Sequence, residues 1–547
     1  MSVWVGVHSL RLLRGGIDLV RIFSVALVAA ALVVARGAPI RAQQGPDLEA
    51  LLKSYGFQLK QEDGRQVVEV TLHQVLQLAL ERNLTLQSVR FGETVAQSAL
   101  RAASDRFTPT LANSADYNRT LVPSLSVTPS TLVELRGTSG VTLSSQITKP
   151  TETGLSYSLK YTERQAHAVS NSIPISGGSD TGLLSGSSVS ISALTGSLTV
   201  PFGQDAGRDF NALPQRRAEA ALTGSQLTIQ QNQLTLLQAT ASTYWDLVAT
   251  LENLSVQQEA VKLSEQLLRD NRQRLQAGVL SPFDVQVSET QLARDRQSLA
   301  AAKAEVLRIE DLARALLNLQ TIDFQVRPVD RPKVHKIEEP YTDLLRRLYD
   351  YSPDIRQLEN QLRLNNLDLQ NAQNGDRANL DLQLFYTAQG IGGSAFGGVS
   401  GFSKTGLDSY GATLTWTVPL FNVQTPEAIR QATLARQQIQ LQLDSRRSDL
   451  NVQLQGVLRQ IQVAQEQVDA AVLARKLADE QLKNEIERFR VGESTSFQVA
   501  QSQQGAASAQ VQEILARLNF ERNFLQLEVL TGDIYRHYDL TPSESPK

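Results

Sequence analysis

The chain contains no cysteine and a single methionine, its first residue. The absence of cysteine removes disulfides, catalytic thiols and thiolate metal sites together. It also agrees with an oxidising compartment, where stray thiols are a liability. Histidine is nearly as scarce, with five residues. Beyond the N-terminal segment these are His73, His167, His335 and His537, scattered and without the H-x-x-x-H spacing of a zinc site. No nucleophile elbow and no phosphate-cradling glycine loop is present. Carboxylates are plentiful, but they are interleaved with Arg and Lys on helix faces, where solvated i,i+4 pairs are the ordinary outcome. No enzyme activity, cofactor or metal is therefore expected. An excess of one charge is missing too: 53 basic residues face 56 acidic ones, for a net charge of −3. That balance does not point to a nucleic-acid partner.

Long hydrophobic runs are absent after residue 35. The one such run, Ile22 to Ala35, follows Arg11, Arg14 and Arg21 and precedes Ala38-Pro-Ile-Arg-Ala42. A basic flank, a short apolar stretch and a small residue at a cleavage point make residues 1–42 a Sec-type signal peptide. A single transmembrane anchor competes with this, but spanning a bilayer takes about 20 apolar residues. No cysteine follows the cut, so no lipoprotein anchor can form. Removing the segment takes away five arginines and one aspartate and leaves a net charge of −7. If the remainder enters a membrane, it must do so as β-strands.

What the chain does have is a duplication. Residues 71–111 match 340–380 at an offset of 269: Val75, Leu76, Leu84, Leu86, Val89 and Leu111 fall on Leu344, Leu345, Pro353, Ile355, Leu358 and Leu380. Each copy reads as a short helix, a break (Asn83-Leu84 or Ser352-Pro353), a longer helix and a strand. Arg274 to Val285 matches Arg488 to Val499 at an offset of 214, so the first copy carries about 55 extra residues. The resulting plan is a 43–70 N-terminal extension, a first repeat over 71–320, a linker over 321–339, a second repeat over 340–533 and a C-terminal tail over 534–547.

Strands are expected in the second copy at about 379–388 and 411–421. Leu380, Leu382, Leu384 and Tyr386 alternate with polar residues, Phe385 excepted, as do Ala412, Leu414, Trp416, Val418 and Leu420. Period-two patterning gives one apolar and one polar face, and each run is long enough to cross a bilayer at a tilt. In the first copy the corresponding strands are about 110–120 and 189–202. The 137–163 insertion between them holds Val141–Ile147 and Leu155–Tyr161, which extend the sheet or form a surface hairpin.

Long helical hairpins are expected over 215–318 and 427–531. Leu234, Leu237, Ala241, Tyr244, Val248 and Leu251 step as a coiled-coil seam. At 1.5 Å per residue, Gln215 to Ala277 makes a helix roughly 95 Å long, and Glu427 to Val491 repeats it. Each long helix ends in a matching turn. Gly278 and Gly492 can stop a helix in the left-handed conformation. Ser281 then caps the next helix with Pro282 at N1, and Thr495 with Gln498 forms a Thr-x-x-Gln capping box.

Signal peptide, duplicated helix–strand–strand–hairpin plan and twin R-x-x-x-G-x-x-[ST] tips occur together. With the Val-Pro-Phe202 and Val-Pro-Leu-Phe421 strand ends, they resemble the TolC-like outer-membrane efflux protein family over about residues 70–533. The resemblance implies a mixed α and β membrane protein: a homotrimer with four strands per protomer. These would close a 12-stranded barrel in outer-membrane lipid, continued by a long periplasmic α-helical barrel of coiled coils. It implies a periplasmic adaptor (membrane fusion) protein docked on the tips, at Gly278, Val279, Leu280, Ser281, Gly492, Glu493, Ser494 and Thr495, and an inner-membrane transporter supplying energy. Where better-known relatives carry carboxylates after the second tip, this chain has Gln498 and Gln501. The aperture candidates are therefore Asp284, Arg490, Gln498 and Gln501, with Phe489 as an apolar constriction. The function implied is a passive outer-membrane channel of a tripartite efflux or type I secretion system. The alternative is a periplasmic coiled-coil scaffold or adaptor without a pore, although two hairpins and two membrane-length strand pairs exceed what an adaptor needs.

Overall fold

The structure is a computed structural model. It describes residues 58–62, 65–126, 132–174, 181–319, 324–332, 337, 339–393, 396–402, 407–418, 420 and 423–540. The expected signal peptide, His335, and Pro419 and Phe421 of the second strand-end motif lie outside these.

Each repeat begins with a capped helix pair. In the first, α1 (Leu72–Arg82) and α2 (Leu84–Ser104) meet at Asn83. Thr71 and Gln74 form a reciprocal capping box on α1. The Asn83 side chain accepts from Leu86 N at 3.0 Å to start α2. The long hairpin is α3 (Leu213–Gln276) and α4 (Pro282–Leu316). The second repeat supplies α5 (Tyr341–Tyr351), α6 (Pro353–Gly375), α7 (Gln424–Arg490) and α8 (Ser496–Thr531). At the start of α6, Pro353 takes the first helical position, where its missing N–H is no loss.

These helices pack as a single layer four helices wide. Near the strands the order of neighbours is α2, α3, α6, α7; toward the tips it is α4, α3, α8, α7. The core lies between these ends. There α5 and the first turn of α6 bury Leu344, Leu348 and Ile355 against Leu450, Leu454, Val457 and Ile461 of α7 and Phe520 and Leu527 of α8. The α7 residues step by four, three and four, the seam of packed long helices. On α3, Leu237 and Ala241 are fully buried in the expected seam.

A small sheet joins segments far apart in sequence. β1 (Gln58–Glu62) pairs antiparallel with β2 (Arg65–Val70), and β2 pairs parallel with β7 (Phe324–Pro328). The expected extension and linker are thus joined as one element. The Tyr244 hydroxyl of α3 ties it down, lying 3.1 Å from Val70 O and 2.8 Å from an Asp330 carboxylate oxygen. Burial and the Asp330 carboxylate push the Tyr244 hydroxyl well above its ordinary range. The expected C-terminal tail begins inside a last helical turn, Asp533–His537, which buries Ile534 and Tyr535.

The large sheet departs from expectation. Its order is β3 (Thr110–Ser126), β4 (Leu132–Pro150), β5 (Ser156–Pro174), β6 (Thr181–Pro201), β8 (Asn379–Gly392), β9 (Leu407–Thr417), antiparallel throughout. The resemblance implies four strands per protomer; the sheet holds six. The additional two, β4 and β5, are the 137–163 insertion with its flanks. Their side chains alternate in period two like those of their neighbours, and so the hairpin completes the sheet instead of leaving it. Among the described residues no helix is long and apolar enough to cross a membrane.

Candidate channel wall and periplasmic tips

Strand register sorts the large sheet into two chemically different faces. Leu111, Ile147, Leu159, Gly196, Tyr386 and Tyr410 form one row across all six strands. The next row, pointing the other way, is Ala112, Gln146, Lys160, Thr195, Thr387 and Ser409. The first face also carries Tyr157, Leu194, Leu384, Leu414 and Trp416; Tyr410 is 83% exposed and Trp416 71%. So many uncovered large apolar groups on one surface mark a lipid or partner contact, not a water-facing wall. The opposite face is linked by hydroxyls: Ser114 to Ser144 at 2.8 Å, Ser158 to Ser197 at 2.7 Å and Thr195 to Thr387 at 3.0 Å. Phe385, which breaks the alternation, lies across the strand pair over Gly411, where a Cβ would meet its ring at 2.7 Å. Glycine there leaves room for the ring.

One acid sits on the apolar face. Glu163 of β5 is 3% exposed. It accepts hydrogen bonds from Ser190, from Ser192 at 2.5 Å, from Tyr161 at 2.9 Å and from the Phe396 backbone at 3.0 Å. Four donors satisfy a carboxylate that would otherwise be costly to bury. They pin the turn Gly397–Gly401, which follows β8, over β6 and β8.

At the other end lie the tips. Gly278 and Gly492 have φ of +74° and +86°, the left-handed region glycine favours. Ser281 caps α4: its hydroxyl donates to the Asp284 carboxylate at 2.7 Å, and Asp284 N donates back at 3.4 Å. Thr495 and Gln498 form the capping box on α8, with Thr495 N donating to Gln498 Oε1 at 3.1 Å. Val279, Glu493, Gln498 and Gln501 are exposed, and Leu280, Asp284 and Ser494 are half-buried. Ser494 donates to Glu485, whose carboxylate also pairs with Arg488 at 3.4 Å; Arg490 pairs with Glu487 at 3.8 Å.

Phe489 departs from its expected place. It is 7% exposed, packed with Leu267 and Val499 inside the protomer. The Arg274 guanidinium lies 4.6 Å from its ring centroid and donates to its carbonyl at 3.2 Å. Within one chain the ring packs the tip. Beside it the fully buried Asn271 donates to Ser288 at 2.6 Å and to Ser496 at 3.0 Å, joining α3, α4 and α8. Sequence reasoning missed this cluster and Glu163 alike. Single polar residues inside apolar-periodic segments were their only trace.

Among the described residues no group of His, Asp and Glu could hold a metal ion. The family model described as "Outer membrane efflux protein" matches residues 175–319 and 344–533. No curated sequence relative matches the chain. Among solved structures, the Campylobacter jejuni CmeC outer membrane channel superposes with a TM-score of 0.59 at 14% identity, covering 93% of this chain and 92% of that one. CusC superposes with a TM-score of 0.60 at 12% identity, covering 84% and 92%. The open state of the Neisseria gonorrhoeae MtrE outer membrane channel gives 0.56 at 17% identity, covering 84% and 88%. The likeness to these structures is one of fold, a duplicated mix of long helices and an antiparallel sheet. The family match spans more than half of the chain, and the chain therefore belongs to the outer membrane efflux protein family, non-enzymatic transport channels of the outer membrane that extend into the periplasm.

Proposed function

We propose that three copies of this chain close into one passive duct, a membrane barrel built from the large sheets and a periplasmic tunnel built from the four-helix layers. The observation that carries this is the two-faced sheet joined directly to long helices, with the outer edges of both its edge strands, β3 and β9, unpaired among the described residues. An unpaired edge in lipid leaves backbone N–H and C=O groups without partners, so the sheet must close on other copies. The apolar face then meets lipid and the hydroxyl-rich face lines the bore.

Substrates would arrive from an inner-membrane transporter through an adaptor docked at Gly278–Ser281 and Gly492–Thr495. The exposed side chains of Val279 and Glu493 suit such a contact. Residues 1–42 would be removed on export, leaving Gln43 first. The hydroxyl and amide bore discriminates poorly, so the transporter would set the cargo, small molecules or secreted proteins. Deleting the gene and assaying drug sensitivity and secreted protein separates these two.

The duct itself is tested by extracting the protein from outer membranes with detergent and reconstituting it in planar bilayers. Discrete channels from a particle of three copies are expected. A salt-washed, water-soluble monomer without conductance would refute the proposal and favour a scaffold. The aperture is expected where Gln498 of the three copies converge. Cysteines at Gln498, cross-linked between protomers, should block export and leave assembly intact; undiminished export at complete cross-linking moves the gate elsewhere.

A further inference from the structure

The inserted hairpin changes what kind of barrel can form. β4 pairs with β3 from Leu132 to Thr148, and β5 pairs with both β4 and β6. No direct β3–β6 pairing exists; the hairpin separates them. The apolar and polar rows run through it without a break. On β5, Tyr157 and Leu159 point to the apolar face and Lys160 and Arg164 to the polar one, all four exposed. A hairpin lying on the surface of a finished barrel would bury one of its faces against that barrel; here each face carries exposed side chains, and among the described residues Glu163 alone is covered, by the turn after β8.

We infer that β4 and β5 are structural staves of the pore, giving an eighteen-stranded barrel of three copies, about half again as wide as a barrel of twelve at equal tilt. The inference rests on the trimeric duct proposed above. The width of the helical layer is compatible with it. Four helices packed roughly 9–10 Å apart span about 38 Å of circumference. Six strands about 4.8 Å apart and tilted about 40° also span about 38 Å, whereas four would span about 25 Å. At these spacings the sheet and the helices of one protomer would subtend similar arcs. For eighteen strands the backbone diameter is about 36 Å, against about 24 Å for twelve.

The hairpin also changes the charge of the bore. Without it, the polar face carries Asp116 on β3 and Asp381 on β8. The hairpin adds Lys160 and Arg164 to the same face, so an acidic wall becomes a balanced one.

Imaging the purified, unmodified protein in lipid nanodiscs tests the inference directly. A closed ring of eighteen strands with a diameter near 36 Å is expected. A ring of twelve strands, with the hairpin projecting from it, overturns the inference and leaves the duct intact. Particles that form no ring in lipid overturn the duct reading itself. A second measurement needs no image. The double substitution K160Q/R164Q should shift the reversal potential of reconstituted channels toward cation preference, because six positive side chains leave the bore. An unchanged reversal potential places those side chains outside the bore and overturns the inference.

Discussion

Arg274 ties the two hairpins together at the tip, and its removal tests whether that contact holds the tip shut. It reaches from α3 of the first hairpin to Phe489 at the end of α7 in the second, donating to the carbonyl at 3.2 Å and covering the ring at 4.6 Å. A charged hydrogen bond contributes about 1.5–3 kcal/mol, and a half-exposed cation–π contact about 0.5–1 kcal/mol. The side chain is only half-buried, so the lower ends apply, about 2 kcal/mol together. If opening swings the second hairpin away from the first, both contacts break, and Arg274→Ala raises the open-to-closed ratio roughly 30-fold. A tip open about 1% of the time becomes open about a quarter of the time. Single-channel recording reads this as open probability, and circular dichroism confirms that helix content is kept. Arg274→Lys keeps the charge over the ring but loses the planar fork, so its effect falls between the two. An alanine variant with the open probability of the unmodified protein would refute the placement of the closing contact here.

Four further outcomes follow from named contacts. Glu163→Gln leaves one acceptor oxygen where two were used and points an amide at the serine donors; it should free the 396–402 segment at a cost of about 2–3 kcal/mol, seen as new protease cleavage there on intact cells. Phe489→Ala opens a cavity costing about 3–4 kcal/mol, confined to the tip and visible as faster hydrogen exchange at the end of α7. Ala at Gly278 or Gly492 meets no atom within 4 Å. Its cost is therefore backbone strain alone, about 1 kcal/mol, with the melting temperature nearly unchanged and faster exchange at the turns. Glu528 is buried, which raises its carboxyl above the ordinary range although the contact with His537 pulls the other way. A raised folded value means its contribution to stability is full below the unfolded value of about 4.3 and is lost as pH climbs through the folded value. Glu528→Gln should flatten that part of the thermal-stability profile, and an unchanged slope would rule the group out.

The duplication was legible because register is kept within each matched stretch: Leu72–Arg82 and Tyr341–Tyr351 are 269 residues apart at both ends, and Pro282 and Ser496, where the return helices start, are 214 apart. Caps were legible for a related reason, since Thr495 and Gln498 bond within four residues and need no distant partner. Distant partners are where sequence falls silent. Period-two patterning in Leu155–Tyr161 fixes faces but not neighbours, so the insertion could be read as sheet or as surface. β7 is five residues long and finds β2 more than two hundred residues away. Phe489 sits beside charged residues, and only the approach of Arg274 from the other repeat reveals that its ring is covered. Glu163 continues the alternation of Leu155, Tyr157, Leu159 and Tyr161 as a polar residue on the apolar face, and only the approach of Ser190, Ser192 and Phe396 reveals that it is buried.

The chemistry of the contacts separates what can move from what cannot. Within the first hairpin, Val261 and Leu268 pack on Val285 and Leu292; near the small sheet, α5 seals the second hairpin with Phe520 and Leu454. Apolar contacts of this kind lose about 25 cal/mol for each Å² returned to water, so each hairpin moves as a unit. Between the hairpins the ties are mostly polar: Asp246 with Arg522 at 2.5 Å, Asn271 with Ser496, and Arg274 with the Phe489 carbonyl. Water replaces the neutral bond at a net cost of about 1 kcal/mol and the Arg274 bond at about 1.5 kcal/mol. One apolar patch, Leu267, Phe489 and Val499, also joins the hairpins at the tip. Parting the hairpins exposes it, at a further cost of about 2–3 kcal/mol for the ring alone. On the proposed reading of the tip as a gate, this apolar patch inside a largely polar seam is the latch that opening must break. A partner that opens it must offset the lost burial, most directly by covering Phe489 itself. Replacing Phe489 with Ala should then reduce the dependence of opening on the adaptor, while a channel that still needs the adaptor to the same degree would place the latch elsewhere.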